Sequence, residues 1–184
     1  MKLNKLISDY VNKDNHPRVK GRYNSSELFN ICRGKVTPKN FNKPRNIDDK
    51  GVQLISRGIA SEDYLTKVFE EMEVKCESQA KKVIDIAEGI TLVAKLDFLF
   101  KDRIIEVKHP SRTFTEIPPW YQYQCEAYYR AYNLPVYVWE ISEPFNITQL
   151  VFTPSEERWN EIKEKLQVFH QELIKEYAKR NLQT

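Results

Sequence analysis

Residues 90–108 constrain the fold of this 184-residue chain more than any other segment, because they predict a β-hairpin in a fixed register. Its strands would run from 90 to 100 and from 103 to 108, with Lys101-Asp102 as a two-residue turn. That register places Asp97 directly opposite Glu106. Opposed like charges destabilise a sheet, so these two carboxylates require a compensating partner such as a metal ion.

The two faces of the predicted hairpin differ in character, because successive side chains of a strand point to opposite faces. One face is apolar and is predicted to pack in the core: Ala94, Leu96, Phe98, Phe100, Ile105 and Val107. The other pairs like charges and contains the candidate site: Lys95, Asp97, Leu99, Ile104, Glu106 and Lys108. A solvent-exposed hairpin face would also carry charges, and this interpretation stays open.

Four short motifs, in order along the chain, resemble those of a known superfamily. Asp97 followed by Glu106-Val107-Lys108 resembles the D-(x)n-E-x-K signature of the PD-(D/E)xK nucleases. Upstream, Glu62 resembles the acidic first motif at the start of a helix. Downstream, Gln124 and Tyr128 match the Q-x-x-x-Y motif of the RecB-like branch, which includes CRISPR-associated RecB-like exonucleases and related viral proteins.

The resemblance implies an α/β chain with a restriction-endonuclease-like core, in which helices flank a mixed central β-sheet. It also implies a metal-dependent nuclease that hydrolyses phosphodiester bonds in DNA, as a single-strand-preferring exonuclease or an end-processing nuclease. By the same resemblance, Mg²⁺ or Mn²⁺ would be held by Asp97, Glu106, the Val107 carbonyl and Glu62. Such hard cations prefer oxygen ligands.

Three further side chains have candidate roles in catalysis by the same resemblance. Lys108 would orient or deprotonate the attacking water, or stabilise charge on the phosphate, and the sequence leaves these roles open. Gln124 and Tyr128 lie four residues apart and share a helix face, from which they would contact substrate or brace the lysine. A tyrosine in this place can also be an ordinary core residue, and Gln122 with Glu126 offers a competing helix face.

The cysteines bear on the cofactor. Many CRISPR-associated RecB-like nucleases hold an iron–sulfur cluster through one early and three late cysteines. Cys32 resembles the early one, but the chain has three cysteines in all and none after Cys125. We therefore expect no cluster, and predict that Cys32 is a buried apolar residue of a short helix.

Composition permits a nucleic-acid partner without requiring one, since the formal net charge is +3. Basic residues are dense between Arg18 and Arg45, which predicts a basic N-terminal segment over 1–50 before a nuclease core over 51–184. No apolar run approaches the ~18 residues that cross a bilayer, so a cytoplasmic location is expected. The oligomeric state, a dimer included, stays open.

Aromatic side chains near basic ones suit a single strand of DNA, because stacking on bases tolerates any sequence. The candidates are Tyr23, Phe29, Phe41, Trp120, Tyr121 and Tyr123.

Local patterns predict the remaining elements. Helices are expected over 3–11, 25–31, from 51 or 61 to 72, and from 118 to 133, with strands over 75–79, 81–87, 135–141 and 147–152. A last helix would begin at the capping box Thr153-Pro154-Ser155-Glu156. Its apolar stripe predicts core packing, with a partner helix as the alternative.

Three rival functions remain open at this level. The chain could bind DNA without cleaving it, or act as a structure-specific endonuclease such as a junction resolvase. It could also be an adaptor that recruits a replication or recombination partner through its last helix and its basic segment.

Overall fold

The computed structural model describes residues 19–41, 47–110, 112–142 and 146–181. Its helices are α1 (Leu28–Cys32), α2 (Asp49–Glu71), α3 (Pro119–Tyr132) and α4 (Glu156–Asn181). Its strands are β1 (Arg22–Asn24), β2 (Glu77–Ser78), β3 (Lys81–Ala87), β4 (Ile90–Lys95), β5 (Phe98–Leu99), β6 (Ile104–Lys108), β7 (Val136–Ser142) and β8 (Asn146–Val151). The predicted helix over 3–11 and the basic residues Arg18, Lys43 and Arg45 lie outside the described residues.

The strands form two sheets. One has the order β1-β4-β3, and the other has the order β2-β5-β6-β7-β8. In the five-stranded sheet β6 and β7 run parallel while the other neighbours are antiparallel. The predicted α/β arrangement with a mixed sheet and flanking helices is therefore confirmed. The division predicted at residue 50 stays a prediction.

The structure confirms the register of the predicted hairpin but shows that its first strand is interrupted. Leu99 pairs with Ile104 and Phe98 with Ile105, as expected for a turn at residues 101–102. The strand predicted over 90–100 is broken, however, because β4 pairs with β3 in the other sheet. At the break, the Leu96 N–H donates to the Ala80 carbonyl and the Gln79 N–H donates to the Asp97 carbonyl. Lys95 consequently pairs with Lys81 and not with Lys108, which corrects that expectation.

Both faces of β6 are buried, whereas only one was predicted to be. Ile105 and Val107 pack with α2 residues such as Phe69, as expected for the apolar face. Ile104, on the face predicted to carry the charges, packs beneath α3 with Cys125 and Tyr128. A covering helix explains the difference, because α3 shields this face of β6 from solvent.

Helix α4 packs on the core through its predicted stripe. Ile162, Leu166, Phe169 and Leu173 are all buried in one cluster with residues of β1, α1 and α3. Core packing is thus the role of this stripe. Because these side chains are already buried within the chain, they offer no surface to a partner helix. Cys32 joins the same cluster, as predicted, and burial raises the pKa of its thiol to about 12.

The start of α4 differs from the predicted capping box at Thr153. The cap is Ser155, whose hydroxyl accepts the Arg158 N–H (3.2 Å) and whose carbonyl accepts the Trp159 N–H (3.0 Å). A buried carboxylate from another helix, that of Glu126, accepts the Ser155 N–H (2.9 Å). The reciprocal half of the cap therefore comes from α3, a long-range contact that no local motif encodes.

Among the described helices, none combines the length and apolar character needed to cross a membrane.

Candidate active site

One pocket gathers the six side chains of the four motifs. It has a volume of about 620 Å³ and receives Glu62 from α2, Asp97 from the link between the sheets, Glu106 and Lys108 from β6, and Gln124 and Tyr128 from α3. The Val107 side chain is buried on the opposite face of β6, so only its backbone is left to serve the site. Four separate elements thus place the predicted residues around one space.

Asp97 and Glu106 are brought together by the break between the sheets. The Asp97 Oδ2 accepts the backbone N–H of Val107 at 2.7 Å, which fixes this carboxylate beside the end of β6. Glu106 is 2% exposed and forms an ion pair with the Lys108 ammonium through Oε1. Its other oxygen, Oε2, is buried and has no hydrogen-bond partner among the described residues.

Burial and mutual repulsion perturb the carboxyl groups. Burial, followed by the charge of Asp97, raises the pKa of Glu106 to about 8, against a smaller opposing effect of Lys108. The same two causes raise the pKa of Glu62 to about 7. For Lys108 burial lowers the pKa, but Glu106 and Asp97 raise it by more, so it lies above its ordinary value. Carboxyl groups therefore outnumber lysines in this pocket, since Glu62, Asp63, Asp97 and Glu106 line it with Lys95 and Lys108.

Gln124 and Tyr128 form the α3 face that meets the pocket. The Tyr128 hydroxyl donates to the Lys95 carbonyl at 2.7 Å and accepts from the Gln124 amide at 2.5 Å. The competing pair lies elsewhere, since Gln122 and Glu126 both accept from Arg158. Because Tyr128 is fully buried beside Glu106, the pKa of its hydroxyl is raised well above its usual range.

The donor set fits a hard divalent cation. It consists of carboxylate oxygens, and one of them, Glu106 Oε2, is buried and lacks a partner within the described part of the chain. Within the described residues, no group of three or more carboxylate, histidine or cysteine side chains lies close enough together to hold a metal ion by itself. A cation held here would therefore need water or backbone oxygens besides the side chains, as Mg²⁺ commonly does.

Three contacts around the site were missed by sequence reasoning. Gln79 donates its amide to Glu62 Oε2 at 2.7 Å, from a backbone with a φ of 56° between β2 and β3. The Tyr121 ring lies 4.9 Å from the Lys108 ammonium. His109 Nδ1 lies 3.0 Å from the Ser61 hydroxyl of α2. Each depends on tertiary placement and has no local sequence signal.

Only some of the predicted aromatic candidates are accessible. Tyr23, Phe41 and Tyr123 are buried in the core cluster, which corrects their assignment as stacking surfaces. Phe29 and Tyr121 are partly buried, and Trp120 is 51% exposed. A further cavity of about 420 Å³ lies between α1 and the start of α3 and shares Ser26, Lys108 and Gln124 with the motif pocket.

Comparison with known proteins identifies similar folds but no similar sequence. No family model and no curated protein matches this chain. Among solved structures, SSO0001 aligns with a TM-score of 0.69 at 12% identity, over 91% of this chain and 84% of its own. The alkaline exonuclease LHK-Exo from Laribacter hongkongensis aligns with a TM-score of 0.59 at 16% identity, over 89% and 94%. A phage-related exonuclease from Haemophilus somnus 129PT aligns with a TM-score of 0.53 at 13% identity, over 97% and 100%.

These likenesses are at the level of the fold. They show that the mixed five-stranded sheet with its flanking helices is restriction-endonuclease-like, as the motifs implied. The fold that the resemblance implied is therefore confirmed, and it is compatible with the RecB-like branch. Because one fold hosts many functions, activity has to be argued from the site itself.

Proposed function

We propose that this chain is a divalent-metal-dependent nuclease that hydrolyses phosphodiester bonds in DNA. The observation that carries the proposal is the convergence of Glu62, Asp97, Glu106 and Lys108 in one pocket, with one buried Glu106 oxygen lacking a partner among the described residues. Ionising a carboxyl group in that state is costly to the fold, in agreement with the raised pKa of Glu106. Binding a cation would relieve this cost and would also serve hydrolysis.

The residues that would hold Mg²⁺ or Mn²⁺ are Asp97, Glu106, the Val107 carbonyl and Glu62. Asp97 accepts one backbone N–H through Oδ2 and keeps acceptor capacity on its carboxylate. When bound, the cation supplies a polarised water and offsets the negative charge of the phosphate.

The remaining side chains act on the substrate and on one another. Lys108, held as a cation by its ion pair with Glu106, stabilises negative charge that develops on the phosphate. The Tyr128 hydroxyl, which accepts from Gln124 and donates to the Lys95 carbonyl, holds α3 in place beside Lys108. Lys95 itself is exposed at the pocket and supplies a further positive charge to the DNA backbone.

We further propose that the substrate is single-stranded DNA or an end with a single-stranded extension, and that digestion starts from an end. Two neighbours in fold are exonucleases by name, and one of them, LHK-Exo, also has a structure in complex with dAMP. The exposed Trp120 ring beside the pocket suits an unpaired base.

The test is a cleavage assay with purified protein. The substrates are end-labelled linear single-stranded and double-stranded DNA, and internally labelled circular single-stranded DNA and branched junctions. Each is incubated in Mg²⁺, Mn²⁺ or EDTA with the wild-type protein and three variants. Asp97→Asn and Lys108→Ala remove site groups, and Glu70→Gln changes an exposed α2 glutamate as the matched control. We expect cleavage of linear strands that needs the metal, falls at least about 100-fold in both site variants and persists in the control.

The pattern of products separates the rival functions. Cleavage of circles or of branched junctions, with linear ends spared, would replace the exonuclease by an endonuclease. DNA binding without metal-dependent cleavage would favour a module that binds and does not cut. Equal cleavage by the wild-type protein and by both folded site variants would refute the assignment of the site.

A further inference from the structure

We propose that the cavity of about 420 Å³ beside the site is a subsite for one unpaired nucleobase, which stacks on the indole of Trp120. The inference rests on the proposed function only in that the ligand is a nucleic-acid strand. It assigns to Trp120 and Phe29 a role that the chemistry of the motifs does not include.

The Trp120 ring is held in place yet left open. Trp120 occupies the first turn of α3, directly after Pro118-Pro119, and 51% of its surface is exposed. The ring of Phe29 from α1 packs with it in a T-shaped arrangement, at a centroid distance of 6.4 Å and an angle of 68°. Tyr121 contacts it at 5.9 Å and 65°. Two aromatic neighbours thus orient a large apolar surface that the fold does not bury.

The cavity places such a base next to the reacting phosphate. Ser26, Lys108 and Gln124 line this cavity and also line the motif pocket, so the two spaces meet at these three residues. A base on Trp120 would therefore belong to a nucleotide adjoining the phosphate at Lys108. The volume lies within the range of roughly 300–1,000 Å³ typical of ligand pockets.

A positive charge at the far side of the cavity suits the phosphate backbone. Lys35 is exposed, and its ammonium lies 5.0 Å from the centroid of the Phe29 ring. Stacking on an aromatic ring and contact with a cation are the two components of single-strand binding, and neither selects a base. A base pair inside a duplex has no face free for Trp120, so the subsite takes an unpaired base and would otherwise meet only the terminal pair of a duplex.

The experiment compares two fluorescein-labelled oligomers of equal length and charge, one of thymidylates and one of abasic residues. Binding to the whole protein is measured by fluorescence anisotropy in EDTA, where metal-dependent cleavage cannot occur. The variants are Trp120→Ala, Phe29→Ala, the conservative Trp120→Phe, Lys35→Gln and the control Tyr64→Ala, an exposed aromatic that lines neither cavity.

We expect Trp120→Ala to weaken binding of the thymidylate oligomer about 5- to 150-fold, the range for stacking of one base, and to leave abasic binding unchanged. Phe29→Ala should act in the same direction with a smaller factor, and Trp120→Phe and Tyr64→Ala should bind like the wild-type protein. Lys35→Gln should weaken both oligomers by the same factor, because a phosphate contact ignores the base. Thymidylate binding should also quench tryptophan emission in the wild-type protein and not in Trp120→Phe.

Several results would overturn the proposal. In the Trp120→Ala variant, these are an equal loss of affinity for both oligomers, or affinity unchanged from the wild-type protein. In the wild-type protein, they are equal affinity for the two oligomers, or no binding of either. Failure of the subsite and failure of the nuclease are distinguishable, because binding is measured without cleavage. If the protein prefers the thymidylate oligomer but does not cleave DNA, the subsite is supported and the proposed nuclease function is refuted.

Discussion

Replacing Glu106 by glutamine should remove a large part of the pH dependence of stability that the site imposes on the metal-free protein. Burial and the charge of Asp97 raise the pKa of Glu106 from an ordinary 4.5 to about 8. The folded protein therefore binds this proton more tightly than the unfolded chain does. Its contribution to stability is fully present below pH 4.5 and is lost as the pH rises towards 8.

The size of the effect follows from the width of that window. Between pH 5 and pH 7.5 the loss is about 3 kcal/mol, at about 1.4 kcal/mol for each pH unit. In the Glu106→Gln variant this part of the loss should disappear, because an amide does not titrate. The pKa of Glu62 is also raised, to about 7, so a smaller loss remains in the variant.

The measurement is urea denaturation in EDTA at pH 5 and at pH 7.5. It compares the wild-type protein, Glu106→Gln and the exposed-surface control Glu70→Gln, which should lose as much stability as the wild-type protein. In a chain of this length, 3 kcal/mol corresponds to a Tm shift of about 6–12 °C. The same loss in Glu106→Gln as in the wild-type protein would show that Glu106 does not titrate in this window, and the account of the site would be wrong.

Three further predictions concern the same residues and their supports. At about 100 times its Kd, Mg²⁺ should stabilise the wild-type protein by about 2.7 kcal/mol at pH 7.5. Thermal melts should show no such gain in Glu106→Gln, and an equal gain in both would place the cation elsewhere. Tyr128→Phe should cost about 1–3 kcal/mol in urea, because the partners of its hydroxyl are left unpaired in a buried place, and a neutral change would contradict those contacts. Glu126→Ala should cost about 3–5 kcal/mol in the same assay, because it leaves two arginines without their buried carboxylate. The exposed α4 acid Glu157→Ala serves as its control, expected within about 0.5 kcal/mol of the wild-type protein, and a similarly small change in Glu126→Ala would refute the network.

The hairpin shows what local sequence can predict about this fold. The turn at residues 101–102 and the opposition of Leu99 and Ile104 follow from alternation and turn length, both of which are local. The break at Asp97 does not follow, because β4 leaves this hairpin to pair with β3. Competition between two sheets for one strand is decided by long-range packing, which alternation does not report.

The sequence motifs predict which side chains gather in this pocket, but not what surrounds them. Glu62, Asp97, Glu106, Gln124 and Tyr128 were named from motifs, and all of them line one pocket. The contact that Gln79 makes with Glu62 and the burial of Tyr23, Phe41 and Tyr123 were not foreseen. Burial depends on which helix covers which strand. The sequence around an aromatic residue with basic neighbours therefore does not distinguish a core position from a surface position.

The carboxylate of Glu126 has a consequence for how parts of the chain open. It lies on the helix of Gln124 and Tyr128, yet it accepts the first N–H of the α4 cap and the guanidinium of Arg158. Fraying of the first turn of α4 would take away two of the partners of the fully buried Glu126, the Ser155 N–H and the Arg158 guanidinium, and leave it only Arg130 of its own helix among its described ion pairs, so that turn opens at a cost. In hydrogen exchange, the Ser155 amide should exchange only through the same global opening as the centre of α3. Exchange of this amide together with the centre of α3 would place the first turn of α4 in the same cooperative unit as the helix beside Glu106, and faster exchange would contradict the coupling.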